Sequence, residues 1–580
     1  TKTKTIRTHD LLVEFIPKIL GNYQWKKSMK WGEFDLNWGR PLKSILSVFD
    51  KKILNFEFHH LVSSNSTFVD KDLEEKKKSF ENFRKYEKFF EEQKIYINQN
   101  KRLKIIEQSF SKLLKKKKLK INENPKLIDE VVNLVDSPNI LLCKFDKKFL
   151  SVPKEILILT METHQKYFPT FNDKNEITNE FLIVTNRKDL NGLIKIGNER
   201  VVEARLSDAE FFWNKDKTQN LVKKVSELKS MNFFKGLGTY FDKVQRMRKL
   251  GGMISDELMI SKEKVELSAS ICKTDLTSDL VNEFPELQGL MGGYFSTYQG
   301  FDKDISLAIT EQYLPIGLYS KVPKKAFSVA LSITDKIDTM VGFFGINEKP
   351  TSSKDPFALR RTALGVIRTV IENKKDFKLN DIIKYSSSLY NDQGNKLTNL
   401  NLQLELHNFL KDRFRYYLKE KEIRYDIIEA SISSLSLNKI FSSYEKARQL
   451  NKIINSQQGV DIISSYKRAS NILESEMRNN KIEINNTTDP GIFKSDFEKN
   501  LYKKIRDIKK YYSTINNDEN FEKSLLILAD TRKVVFEFFD NVKVNEENET
   551  LRKNRLELIN MLCKTFQNFI NFQLLKASNE

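Results

Sequence analysis

The sequence predicts a multidomain α+β protein that is predominantly α-helical. Three observations carry this expectation. A chain of 580 residues is too long for one hydrophobic core. Runs of β-branched and aromatic residues are concentrated before Arg187. From Asp216 onward, apolar residues recur at helical spacing almost to the end.

Residues 1–60 are aromatic and mixed, with Trp25, Trp31 and Trp38 bracketing short β-like runs such as Leu42 to Phe49. Between residues 66 and 135 the chain turns Lys-rich and helical in period, which reads as an insertion. Within it, KRLKIIEQSFSKLLKKKKLK (101–120) sets Leu103, Ile106, Phe110, Leu113 and Leu114 on one helix face. The lysines at 115–118 are then either a solvated face or a phosphate-facing stripe. Strand character returns from Ile140 to Arg187 in ILLCKF, ILILTMETHQKYFPTF and FLIVTNR. A helix over 198–213 follows from Val202, Leu206, Ala209 and Trp213. Residues 1–216 are therefore expected to form an α/β domain.

The remaining segments are helical domains expected at 217–345, 346–495 and 496–580. Gly and Pro punctuate them at PELQGLMGG (285–293), LPIG (314–317) and EKPTSSKDP (348–356). The stretch ELHNFLKDRFRYYLKE (405–420) should bury Leu406, Leu410, Phe414 and Tyr417. NNKIEINNTTDPG (479–491) has linker composition, and Ile559, Leu562, Phe566 and Phe569 form a core-facing stripe near the end.

A formal charge of +20 attracts polyanions, of which nucleic acid is the most abundant. The Lys, Asn and Ile surplus is equally what an A/T-rich genome writes into any protein. Cys143, Cys272 and Cys563 stand far apart without a CxxC pair, which argues against a disulfide framework and for a reducing cytoplasm. No signal-peptide-like segment or membrane-length apolar run occurs, so a cytoplasmic protein without membrane contact is expected. The chain opens on Thr1 rather than Met, as expected if it begins inside a longer gene product.

Catalytic signatures are scarce. Neither GxxxxGK[ST] nor GxGxxG nor HxGH is present, which argues that amino-acid activation is not carried out here and that no catalytic residue lies on this chain. His9, His59, His60, His164 and His407 show no metal-ligand spacing, so no metal site is expected. His164, with Gln165 and Lys166, suits either a structural role or a nucleic-acid contact.

Four ordered blocks carry a family resemblance. WKKSMKWG (25–32) with GRP (39–41), TMETHQKYFPTF (160–171) with FLIVTNR and IGNERVVEARLSDAEFFWNKD (to 216), KTDLTSDLVNEFPELQGLMGGYF (273–295) and DKIDTMVGFFGINEKPTSSKDPFALRRTALGVIR (335–368) are similar to blocks of bacterial glycyl-tRNA synthetase (glycine–tRNA ligase) β subunits. The tail ADTRKVVFEFFDNVKVNEENETLRKNRLELI (529–559) resembles the DALR-type helical anticodon-binding module shared with arginyl-tRNA synthetases. The family's opening segment is missing, EFHH stands at 57–60 in place of a GHRF-type sequence, and the 66–135 stretch is unusually Lys-rich.

The resemblance implies an α2β2 assembly in which an α subunit handles glycine and ATP with Mg2+, while this chain binds tRNA(Gly) and holds no cofactor of its own. It also implies an editing-type α/β domain like that of phenylalanyl-tRNA synthetase over 1–216 and an HD-like helical domain over 217–345. The latter lacks histidine and should therefore hold no metal. In SKDPFALRR a helix is expected to start at Pro356. Asp355 would cap it, with Lys354 beside it, and Arg360 and Arg361 would either pair with Asp335 or Asp338 or face the acceptor arm or the α subunit. In the tail, Arg552, Lys553 and Arg555 are expected to meet anticodon-arm phosphates. Phe538, Phe539 or Asn541 would meet an unstacked base, unless both phenylalanines are core.

Overall fold

In the computed structural model, residues 7–69, 76–395, 397–480, 488–514 and 521–576 are described. The chain divides into two compact units, Thr1–Phe211 and Phe212–Glu580.

The first unit begins with the Thr8–Gly21 helix, whose Leu12, Val13, Ile16 and Leu20 pack on a small core of Leu36, Leu54, Phe56 and Phe58. Strands Ile45–Leu46, Leu61–Ser64 and Glu57–Phe58, in that spatial order, form a three-stranded sheet. Buried Ser63 ties it together: its hydroxyl accepts from Phe56 N at 2.8 Å and donates to Leu54 O at 2.6 Å. Trp25 and Trp38 meet edge-on at 5.0 Å, and a Cβ at Gly39 would lie 2.7 Å from the Trp25 ring, so only glycine admits this approach. His60 of the EFHH stretch stacks on Phe34 at 3.7 Å.

A four-stranded antiparallel sheet, ordered Lys120–Ile121, Phe168–Phe171, Ile177–Thr185, Asn139–Lys144, organises the rest of this unit. The Gln99–Lys117 and Pro125–Leu134 helices cover one face, where Ile106, Phe110, Leu127 and Val131 meet Phe168 and Leu182. Residues 99–134 thus supply core and an edge strand of this sheet; residues 70–75 of the Lys-rich stretch lie outside the described residues. The run Ile156 to Leu159, expected as strand, is helical from Lys154 to Leu159 and continues as a π-turn over Thr160–His164. Burial of Ile156 and Leu157 overrode the β propensity of this run. The following helix, Leu193–Asp216, starts earlier than expected because the Asp189 carboxylate accepts from Ile194 N (3.2 Å) and Lys195 N (3.0 Å).

Among its described residues, the second unit's regular structure is helical apart from the short pair Asn232–Phe234 and Gly238–Thr239. Its spine is the Ala326–Gly345 helix, almost wholly buried, packed among the Tyr240–Leu258, Leu359–Glu372 and Leu379–Asp392 helices. One apolar core runs without a break from Leu237 to Leu575, across residues 345 and 495. Of the expected linker at 479–491, residues 481–487 lie outside the described residues.

Candidate functional site

The C-terminal bundle consists of the Gln457–Asn480, Asp496–Thr514, Phe521–Ala529, Arg532–Asn541 and Glu549–Gln567 helices. Ile559, Leu562, Phe566 and Phe569 are buried, as their spacing indicated. The expected binding residues divide. Phe538 is fully enclosed, so it is core and not a base platform. Arg555 is also buried: Nε donates to Glu498 Oε1 at 2.8 Å and Nη1 to Lys543 O at 2.7 Å, with Glu546 Oε2 at 3.3 Å. A guanidinium committed in this way cannot meet phosphate. Glu498 in turn accepts from Lys494 N and Ser495 N, closing the start of the 496–514 helix. Arg552 and Lys553 are half-buried, and the enclosed Arg552 Nε has no acceptor among the described residues. Asn541 is exposed, its amide donating to Glu537 O at 2.9 Å.

Two features of the bundle escaped the sequence reading. On the 496–514 helix, Lys499, Lys503, Arg506 and Lys510 are exposed at successive three- and four-residue steps, forming one cationic stripe. The periodic apolar positions Leu501, Ile505 and Ile508 already implied that face. The second is an open groove of about 660 Å3 beside the Arg532–Asn541 helix, lined by Phe536, Arg532, Lys533 and Asp540. At this helix the Arg468 guanidinium lies 4.7 Å from the Phe536 ring centre and 5.3 Å from that of Phe539, and Nη2 binds Asp540 Oδ1 at 2.6 Å. These half-buried rings are held by an arginine plane, an arrangement suited to stacking on an unpaired base.

The 335–368 element departs from expectation. Its helix starts at Leu359, not Pro356, with Ala358 in the left-handed region (φ 53°). Asp355 caps it as foreseen, but from further upstream, accepting from Leu359 N (2.9 Å) and Arg360 N (3.0 Å). Lys354 is exposed in the preceding turn, and Arg360 Nη2 donates to Thr351 O. Neither arginine pairs with Asp335 or Asp338. Asp338 is instead held by Arg246 (Nε to Oδ1 2.7 Å) and Lys243 (Nζ to Oδ2 3.1 Å), with the Arg246 guanidinium stacked 3.7 Å from the Tyr390 ring centre. Asp335 Oδ1 lies 3.0 Å from Lys243 Nζ and 3.2 Å from Lys273 Nζ. Burial pushes the Asp335 carboxyl up, but these ammoniums, with Lys336, outweigh it and hold it well below the usual carboxylate range. Arg361 is exposed at the rim of the cavity that Asp335 faces.

In the first unit, His164 is exposed at the end of the π-turn and Gln165 is half-buried. Lys166, in the left-handed region (φ 60°), pairs with Glu130 at 3.0 Å. The ion pair ties Lys166 to the 125–134 helix. Among the described residues, no group of three or more His, Cys, Asp or Glu side chains could hold a metal ion, and no helix is long and apolar enough to cross a membrane.

Comparison with known proteins bears on both units. Residues 1–433 match the family model described as glycyl-tRNA synthetase beta subunit, and residues 462–578 match the DALR anticodon binding domain. The chain is 35% identical over 576 residues to the glycine–tRNA ligase beta subunit of Rickettsia canadensis (strain McKiel), covering 99% of this chain and 84% of the relative. The corresponding subunit of Rickettsia africae (strain ESF-5) is 35% identical over 576 residues, covering 99% and 83%. That of Rickettsia felis (strain ATCC VR-1525 / URRWXCal2) is 34% identical over 574 residues, covering 98% and 83%.

Proposed function

The chain belongs to the family of glycyl-tRNA synthetase β subunits, and from that premise we propose that it grips tRNA(Gly) while glycine is activated on a separate α subunit. In this reading an α2β2 assembly works in the cytoplasm, ATP and Mg2+ enter through the α subunit, and this chain binds no cofactor. The observation that carries the tRNA role is the C-terminal bundle: an anticodon-binding domain by similarity, with a cationic stripe on one helix and an arginine-braced aromatic pair at its groove. Lysine and arginine at 499, 503, 506 and 510 neutralise anticodon-arm phosphates, together with Arg552. Of the residues expected to meet an unstacked base, Phe539 and Asn541 keep that role, and Phe536 joins them in place of the buried Phe538. In this reading Arg360 and Arg361 meet the acceptor arm or the α subunit, and His164, which is exposed, and Gln165 are nucleic-acid contacts.

The test is paired. The full chain alone should shift tRNA(Gly) in a gel without supporting ATP–pyrophosphate exchange, and addition of the α subunit should restore glycylation. Exchange by the chain alone, or glycylation by the α subunit at the same rate without this chain, overturns the proposal.

A further inference from the structure

A cavity of about 520 Å3 opens between the Tyr240–Leu258, Ala326–Gly345 and Leu359–Glu372 helices, away from the anticodon-binding bundle. Its wall carries Lys243, Lys273, Lys336 and Arg361 against the carboxylates Asp335 and Glu286. The three lysines are each at most 6% exposed. Behind the wall, Asp338 is shared between Arg246 and the wall residue Lys243, at 2.7 and 3.1 Å. With Arg246 counted among the cations, and Asp338 and the buried Asp275 near Lys273 among the carboxylates, Lys243, Lys273, Lys336, Arg361 and Arg246 still outnumber Asp335, Glu286, Asp338 and Asp275 by one.

The excess is sharpest at Lys336. Among the described residues its Nζ donates only to neutral acceptors, Leu314 O at 2.7 Å and Ser332 Oγ at 2.9 Å, with Gln312 O at 3.4 Å. Burial pushes its ammonium down to about 7, against partial compensation from Asp335. The fold nevertheless makes room for it: a Cβ at Gly365 would lie 2.9 Å from Lys336 Cε. Lys273 sits 4.0 Å from the Tyr313 ring centre, and Phe233 and Tyr240 add aromatic wall. A buried ammonium short of a counter-charge is costly unless an anion completes it. The volume exceeds what a bare phosphate fills and lies in the range of nucleotide-sized sites.

We propose that this cavity binds the phosphate of a nucleotide without a metal: Lys243, Lys273 and Lys336 form its floor, Arg361 its rim, and the aromatic wall meets the base. The phosphate comes either from a free nucleotide or from a terminal nucleotide of bound tRNA. The proposal is independent of the anticodon-binding reading, which its failure leaves in place.

The experiment is calorimetric titration of the full chain with AMP, and in parallel with tRNA(Gly), for wild type, Arg361→Glu and Lys336→Met. Arg361 is exposed, so its variant should fold with an unchanged melting temperature; Lys336→Met is the second probe. If the source is a free nucleotide, AMP binds once per chain and Arg361→Glu weakens it by about tenfold or more. If the source is tRNA, AMP binds weakly, tRNA(Gly) affinity falls by about tenfold in both variants, and AMP competes with that fraction of the affinity. The proposal is overturned if AMP at roughly 10 mM neither binds nor competes, or if both variants match wild type for AMP and tRNA.

Discussion

Arg555 and Glu498, separated by 57 residues, meet at 2.8 Å with both side chains enclosed. This pair joins the 549–567 helix to the first turn of the 496–514 helix, because Glu498 also accepts from Lys494 N and Ser495 N. Removing one partner leaves the other charge buried, which costs about 3–5 kcal/mol. Arg555→Ala should therefore lower the unfolding free energy by that amount in a denaturant titration. Below its own melting transition the variant should keep the wild-type salt dependence of tRNA binding.

The neighbouring aromatics separate core from surface. Phe538 is fully buried, so Phe538→Ala should cost about 3–5 kcal/mol of stability. Phe536 and Phe539 are half-buried against Arg468. Phe536→Ala should cost less stability than Phe538→Ala and should weaken tRNA(Gly) binding by about 1–3 kcal/mol, the range of one lost base stack. Equal affinity for wild type and Phe536→Ala, measured by filter binding, would remove this ring from the interface.

Lys336 should make stability pH-dependent. Its ammonium, facing Asp335 and Lys273, titrates near 7 in the folded chain against an ordinary value of 10.5. Between those values the unfolded chain holds a proton that the folded chain does not, so this group's contribution to stability rises with pH. Tyrosine and cysteine titrations are shared by wild type and Lys336→Met and cancel in the difference. The melting temperature of wild type minus that of Lys336→Met should increase from pH 7 to pH 9; a flat or falling difference contradicts the lowered value.

The legible parts of the fold were those fixed by local periodicity. Leu406, Leu410, Phe414 and Tyr417 are buried along the Leu402–Glu420 helix, as their spacing required. What failed depended on partners distant in sequence. Arg555 occupies a polar position on its helix, and nothing local reveals that Glu498 arrives there to bury it. Phe538 and Phe539 are adjacent with identical side chains, and only packing decides which faces inward. The run at Ile156 to Leu159 has strand composition, yet its burial favours helix. In the same way, Asp335 and Asp338 are spaced to share a helix face with their neighbours, but their cations come from Lys243, Arg246 and Lys273 rather than from Arg360 and Arg361. The family was legible because long motif blocks survive where tertiary detail is invisible.

The most direct measurement is tRNA(Gly) affinity of the full chain across salt concentration, for wild type and for Lys503→Ala with Arg506→Ala. Both residues are exposed on the cationic stripe of the 496–514 helix, so the melting temperature should not change. Each lost phosphate contact should flatten the slope of log affinity against log salt by about 0.7–0.9, so the double variant should lose roughly twice that. An unchanged affinity with an unchanged slope would contradict the account that this helix holds the anticodon arm through its phosphates.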